Sequence, residues 1–373
     1  MHYATYVLDK SALPVCQTGR YARRENMQTL WFILIGFMLT MYVVLDGFDL
    51  GAGAIHPWAA KTEEERRLIL QAIGPVWDGN EVWLIAAGGT MFFAFPVLYA
   101  SSFSGFYLPL IIVLWLLMLR GISIELRSHI QNPVWVSFWD GVFFLGSALL
   151  AIFYGAALGN VVRGVPLDRN GTFFEALWTD FNPYSSNPGI LDWYTILIGL
   201  LALAVLTAHG ANYIAMKTEG VLNARSRRIA RLAWLVTIVL AALGTIATFS
   251  VQPAISASFG SRPWEIIFPV LALVGLIGMG YYNFRQQDLA AFFSSCAFIV
   301  GMLASAAISL YPNVLPAVNR ANSLTIQNAS GSLYGQTVGL VWWSIGIVLA
   351  IIYFVITYRL FWGKVHLADV EGY

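Results

Sequence analysis

Nine stretches of the chain stay apolar long enough to cross a bilayer, for which an α-helix needs roughly 20 residues. They lie at about 29–57, 77–98, 102–125, 135–161, 191–215, 229–252, 264–284, 288–311 and 337–362. Most connections are short. The pattern therefore predicts an all-α integral membrane protein of about nine transmembrane helices in one compact domain over residues 27–373. Two connections are longer and read as surface loops: 162–190, with Trp178, Pro183 and Tyr184, and 312–336, with Pro312 and Pro316. Residues 1–26 hold Lys10, Arg20, Arg23 and Arg24 and no apolar run, so they are expected to be a disordered leader or the product of an upstream start. A cleaved signal peptide would need its own apolar run before Met27.

The pattern also carries an internal echo. The first span contains Asp46-Gly47-Phe48-Asp49 and the fifth His209-Gly210-Ala211-Asn212, with the same spacing of polar residues after the apolar run. Two pseudo-repeated four-helix bundles followed by one C-terminal helix would account for it.

Composition narrows the class. Of 373 residues, 58% are hydrophobic and 11% charged, and the mean hydropathy is +0.68. Soluble domains carry about 25% charged residues, so the bulk of this chain belongs in lipid. A net charge of +1 gives no reason to expect nucleic acid, and 14 Trp suit interfacial belts. Two cysteines, Cys16 and Cys296, make neither a disulfide framework nor a zinc spacing. No Gly-x-x-x-x-Gly-Lys-Ser/Thr run exists to hold ATP.

Polar groups inside the spans are the candidate chemistry, since a carboxylate at a helix centre costs about 2.5–3.5 kcal/mol on insertion scales. Asp46 and Asp49 are spaced to share a helix face. Gly47 and Gly51 permit close approach of another helix. The pair fits a hydrogen-bonded packing seam and a proton or ion path equally well. In "IGPVWDGNEVW", Pro75 suits a helix start, and Asp78 and Glu81 suit the positive end of its dipole. In "LRGISIELRSHI", Glu125 and His129 are neighbours four residues apart, while Arg120 and Arg127 read as snorkelling anchors. His209 is the one histidine well inside a span. A haem with two histidine ligands or a metal would need more partners, so it reads as a hydrogen-bonding packing residue, and this chain is expected to bind no cofactor. A secondary transporter using intramembrane acids, and a purely structural assembly subunit, are the rival readings.

The runs "VLDGFDLGAGAIHPW", "ERRLILQAIGPVWDGNEVWLIAAGG", "FPVLYASSFSGFYLPLIIVL", "ALGNVVRGVP", "LTAHGANYIAMKTEG" and "SLYPNVLP" resemble subunit II of the cytochrome bd quinol oxidases, in order and spacing, over residues 28–362. The resemblance implies a bacterial inner-membrane complex that oxidises quinol and reduces dioxygen to water. It places two haems b, haem d and the quinol-oxidising loop in subunit I, the heterodimer partner. An extra small single-span subunit can accompany the pair, in contact with membrane lipids and quinone. Subunit II would be haem-free, would stabilise subunit I and would contribute to proton uptake from the cytoplasm. Asp78 falls on the family's proton-path aspartate and Glu125 on its acid near the inner end of the third span. Some members have Asp there, followed four residues later by Lys; here the pair is Glu125 and His129. Asp46 and Asp49 match the Gly-Phe-Asp-Leu-Gly signature and join Asp78 and Glu125 as proton-path candidates. They are expected to be held by the second helix near Asp78 or by the partner.

Lys and Arg set the orientation. Thirteen fall in the loops after spans 1, 3, 5 and 7 or at the C-terminus: Lys61, Arg66, Arg67, Arg120, Arg127, Lys217, Arg225, Arg227, Arg228, Arg231, Arg285, Arg359 and Lys364. Four fall in the loops after spans 4, 6 and 8: Arg163, Arg169, Arg262 and Arg320. With the leader set aside, the N-terminus lies outside and the C-terminus in the cytoplasm. Reporter fusions after Gly363 are therefore expected to be active only with a cytoplasmic reporter; activity of a periplasmic reporter at that point overturns the orientation.

Overall fold

The computed structural model describes residues 15–182 and 189–366, with side chains from residue 23 on. Pro183, Tyr184 and residues 367–373 lie outside it. Among the described residues are twelve α-helices: α1 (Val15–Ala59), α2 (Glu63–Ile73), α3 (Trp77–Ala94), α4 (Pro96–Gly105), α5 (Tyr107–Leu126), α6 (Pro133–Arg163), α7 (Trp193–Lys217), α8 (Gly220–Val251), α9 (Ala254–Ser261), α10 (Ile267–Phe284), α11 (Asp288–Leu310) and α12 (Leu333–Leu360).

Nine spans were expected; eight of the described helices are long and apolar enough to cross a membrane. The ninth expected span is α3. Its first turns hold Asp78, Asn80 and Glu81, and this polar start keeps its 18 residues below that mark. It also stops early. Pro96 disfavours helical backbone at Phe95, which leaves the helix at φ −133° and ψ 68°. α4 then occupies residues assigned to the start of the third span, which begins only at Tyr107. The leader expected to be disordered is helical from Val15 on. Once α1 is nucleated by its apolar body, extending it costs little per residue.

Local chemistry sets the other ends. α2 opens on a capping box between Thr62 and Glu65, and α7 on one between Asp192 and Thr195. Asn132 caps α6 ahead of Pro133, and Gly164 ends it at φ 92°. The long loops are not wholly irregular. Asn313–Leu315 (β1) and Leu324–Thr325 (β2) form a small antiparallel ribbon, and Val165 bridges Ala317 between the two loops. α1, α5, α7, α10 and α12 finish at the end of the molecule that carries α2; the long loops lie at the other.

The packing has the form of a repeat. α1 packs on α3 and α6, with α5 on α6; α7 packs on α8 and α11, with α10 on α11. The two sets then exchange neighbours, α6 lying against α7 and α11 against α1. Two related four-helix bundles give this arrangement, and α12 leans on α3 and α1 outside both. α1 and α7 cross at Gly51 and Gly210. A Cβ on Gly51 would come 2.7 Å from the Gly210 amide nitrogen, and one on Gly210 would collide with the Gly51 backbone. Small residues are what let helices pack this closely in lipid.

Gly210→Val is accordingly expected to destabilise the folded chain by at least the ~1–3 kcal/mol typical of overpacking. Gly36→Ala, where a Cβ meets nothing within 4 Å, serves as the neutral control. Thermal unfolding in detergent reads both; equal midpoints for the two variants would show that the crossing tolerates a larger residue.

Candidate functional site

The acids of α1 are fully buried, with Asp46 0% and Asp49 1% exposed. Asp46 Oδ1 accepts from the Arg120 guanidinium at 2.7 Å, and the second terminal nitrogen of Arg120 donates to Glu81 at 2.9 Å. Asp49 Oδ2 accepts from Asn80 Nδ2 at 2.8 Å, and Asn80 Oδ1 accepts from the Tyr358 hydroxyl at 3.0 Å. Tyr42 and Tyr154 meet hydroxyl to hydroxyl at 2.8 Å. Four helices thus converge on α1: α3 through Asn80 and Glu81, α5 through Arg120, α6 through Tyr154, and α12 through Tyr358.

The cluster holds three carboxyl groups and one guanidinium, which bonds two of them, Asp46 and Glu81. The second oxygen of Asp46, Oδ1 of Asp49 and Nε of Arg120 are buried without a hydrogen-bond partner among the described residues. Each such group forgoes about 1–3 kcal/mol, a cost rarely retained away from working sites. Arg120, read from sequence as a surface anchor, is instead 0% exposed. Its place in "LLMLRGIS", inside a span rather than beyond one, was the signal.

A second network, which sequence reasoning missed, lies nearer the α2 end. Asp140, seven residues into α6, accepts from Arg66 at 2.9 Å and Arg127 at 2.6 Å, and stands 2.8 Å from His56 Nε2. Arg127, also taken for an anchor, is 3% exposed and grips both oxygens of Glu63 on α2, at 2.8 and 3.0 Å. Burial pushes the Glu63 carboxyl up, but Arg127 and Arg67 outweigh it and hold it below its ordinary value. Asp140 was legible by the rule that singled out Asp46: an acid inside an apolar run.

The structure does not bring the four candidate acids together. Asp78 and Glu125 are exposed on this chain and make no side-chain ion pair among the described residues. His129 bonds the Glu125 backbone carbonyl at 2.9 Å, not its carboxylate. Asn80 and Glu81, beside Asp78, make the contact from α3. Depth matters here. Asn80 touches Asp49, and α1 runs ten residues further to Ala59, about 15 Å at 1.5 Å per residue. Asp78, two residues from Asn80, therefore stands well inside the end of α1 although none of the described residues covers it. It shares a helix face with Glu81, which is 22% exposed and bonded inward to Arg120.

His209 is buried, with Nε2 2.8 Å from the Val44 carbonyl and Nδ1 2.7 Å from Ser295 Oγ, and its ring stacks on Phe292. A carbonyl only accepts, so Nε2 carries the proton.

Fold and site define a multi-span helical membrane subunit built round a buried ionic cluster. The family whose model matches residues 27–361 is the cytochrome bd terminal oxidase subunit II, and the chain belongs to it. The "Probable cytochrome oxidase subunit 2" of Haemophilus influenzae is 32% identical, over 91% of this chain and 95% of that one. The "Cytochrome bd-I ubiquinol oxidase subunit 2" of Escherichia coli is 31% identical over 93% and 97%. The "Cytochrome bd ubiquinol oxidase subunit 2" of Bacillus subtilis is 32% identical over 84% and 89%. The fold is similar to a chain in the structure of bd oxidase from Geobacillus thermodenitrificans, with a TM-score of 0.69 at 16% identity, covering 90% of this chain and 99% of that one. The chain is thus a multi-pass protein of a bacterial inner membrane and a subunit of a terminal quinol oxidase.

Arg120→Met leaves Asp46 buried without its cation, which is expected to cost about 3–5 kcal/mol. Adding Asp46→Asn removes the unpaired charge and should restore much of the loss. Unfolding midpoints of the single and double variants measure this; a single variant as stable as the parent would mean that the ion pair does not hold α5 to α1.

Proposed function

We propose that this chain is the haem-free subunit of the oxidase, that it stabilises a haem-bearing subunit I, and that it passes protons from the cytoplasm toward oxygen reduction. The observation that carries the reading is the position of Asp78. It is an uncovered carboxylate at roughly the depth of the buried Asp49, on the same helix face as Glu81. A charge left in hydrocarbon there would be costly, so this face of α3 is one that protein or water covers. Subunit I is the partner that the family supplies.

From Asp78 the polar groups run inward: Glu81, then Arg120, then Asp46, with Asn80 and Asp49 beside them. Arg120 stays charged at any working pH. The carboxyl groups in excess of it are therefore the ones that can carry a proton, and Asp46, Asp49 and Glu81 outnumber it. Glu125 lies near the α2 end of α5, the cytoplasmic end by the charge bias, and suits the intake. Oxygen reduction consumes protons. Taking them from the cytoplasm while quinol releases its own outside builds a gradient without a pump.

The family implies haems b and d in the complex. On this reading they belong to the partner: His209, the histidine well inside a span, has both ring nitrogens engaged by Val44 and Ser295 and so has none free to serve as an axial ligand. Quinol is then the substrate of the partner subunit, and a further small single-span subunit would sit against the remaining lipid-facing helices.

Asp78→Asn keeps the size of the side chain but cannot exchange a proton in the same way. It is expected to lower quinol-driven oxygen consumption tenfold or more, since acid–base groups are worth roughly 10²–10⁴. Glu125→Gln should have an equal or smaller effect, because water can bypass an intake residue. The haem spectrum of the purified complex should persist in both. Wild-type turnover by Asp78→Asn at full haem content would leave this acid a helix-end charge and nothing more.

A further inference from the structure

α12 leans on α3 and α1 but stands off α11. The space between them is a cavity of about 950 Å³, at the upper end of the roughly 300–1,000 Å³ of small-molecule sites. Its walls are apolar over most of their length, with Phe48, Trp83, Phe292, Cys296, Ile351 and Phe354 among them. Its α2 end is different. There the segment after α12 folds back across the opening and pairs with the end of α7, Val365 N donating to the Lys217 carbonyl at 2.8 Å. Two amines stand at that closure. Lys217 Nζ donates to the Phe361 carbonyl at 2.6 Å, and Lys364 Nζ to the Thr218 and Ala215 carbonyls at 2.8 and 3.2 Å. An ammonium has three donors, so Lys217 keeps two and Lys364 one. The nearest acid, Asp288, is 4.0 Å from Lys364 and already takes two bonds from Arg227, at 2.7 and 2.8 Å. Gln71 adds a buried side-chain oxygen with no hydrogen-bond partner among the described residues.

We propose that this cavity is a binding site for one anionic phospholipid, with an acyl chain between α11 and α12 and the phosphate at Lys217 and Lys364. The incomplete enclosure between α11 and α12 admits a molecule already resident in the membrane. The charge balance selects among such molecules. Lys217 and Lys364 line the cavity, and among the described residues the nearest carboxylate, Asp288, is already paired with Arg227, a balance that suits a phosphate better than a neutral head group. The basic end of the protein is also the one that meets anionic lipid if it is cytoplasmic. Bound there, the lipid fills space that no side chain fills and ties α12 to the second four-helix bundle, which it otherwise barely touches.

The test uses the complex purified with its partner subunits, stripped of lipid by detergent exchange and read by native mass spectrometry. On titration with phosphatidylglycerol or phosphatidylcholine, the wild-type complex should retain one phosphatidylglycerol at least tenfold more firmly than phosphatidylcholine. The double variant Lys217→Gln, Lys364→Gln should lose that preference. Ile351→Trp fills the cavity and leaves both amines in place, and it should lose retention altogether. Equal retention of the two lipids by the wild type overturns the proposal, as does a tightly held molecule without phosphorus, such as an isoprenoid quinone. Wild-type retention by Ile351→Trp also overturns it, since the acyl chain would then lie elsewhere. None of these readouts depends on turnover, so the proton role of Asp78 stands or falls separately.

Discussion

The Asp46–Arg120 pair is the constraint on which the first half of the molecule depends. Neither charge has any exposure, and a charge carried alone into the bilayer would cost several kcal/mol. Together they are tolerable only at hydrogen-bond distance, which fixes the rotation of α5 against α1. Glu81 occupies the remaining face of the guanidinium and fixes α3 in turn. Ridge-and-groove packing of apolar side chains has several near-equivalent registers; a buried fork holding two carboxylates has one. Buried ion pairs add little net stability over apolar isosteres, so their contribution here is register rather than strength.

The second half repeats the frame with the charges removed. Where α1 carries Asp46 and Asp49, α7 carries His209 and Asn212. His209 bonds Val44 and Ser295, and Asn212 accepts from Asn283 on α10 at 3.0 Å. These neutral pairs serve the same seam without ionisable oxygens to spare. Two bundles of one design thus differ in what they can do: at the helix positions that match, one has neutral hydrogen bonds, the other a cluster with carboxylate capacity in excess of its cation. On the proposed reading that difference is the division between support and proton transfer within a single chain.

The order of the spans was legible because they are long and their period plain; their number was not, since eight described helices reach the length and apolarity of a span and the expected second one is broken into α3 and α4. The glycine crossing was legible as well: Gly47 and Gly51 announced a close approach, and Gly51 meets Gly210. What sequence concealed was partnership. Arg120 and Arg127 sit near helix ends, where an arginine normally reaches for water, and only the tertiary contacts turn them inward. Asp140 was passed over because no second acid stood beside it; its partners come from α1, α2 and α5. The α3–α4 break was written in Phe95-Pro96, but a proline at the edge of an apolar run also fits a span that simply ends there. The ribbon of β1 and β2 is five residues long, too short for any alternation to show.

Stability and chemistry are coupled at α3. The helix begins deep beside α1, because Asn80 must reach Asp49 and Glu81 must reach Arg120. That same depth carries Asp78 inward on a face this chain leaves bare. Starting α3 one turn nearer the surface would give Asp78 the water that a helix-end acid ordinarily has, but it would also pull Asn80 and Glu81 away from their partners, about 5.4 Å per turn. The buried pairs therefore force an uncovered carboxylate to membrane depth. On the proposed reading subunit I covers that face, and Asp78 lies on it. The buried pairs that set the register of α3 then also set the depth at which a proton would cross between the two subunits.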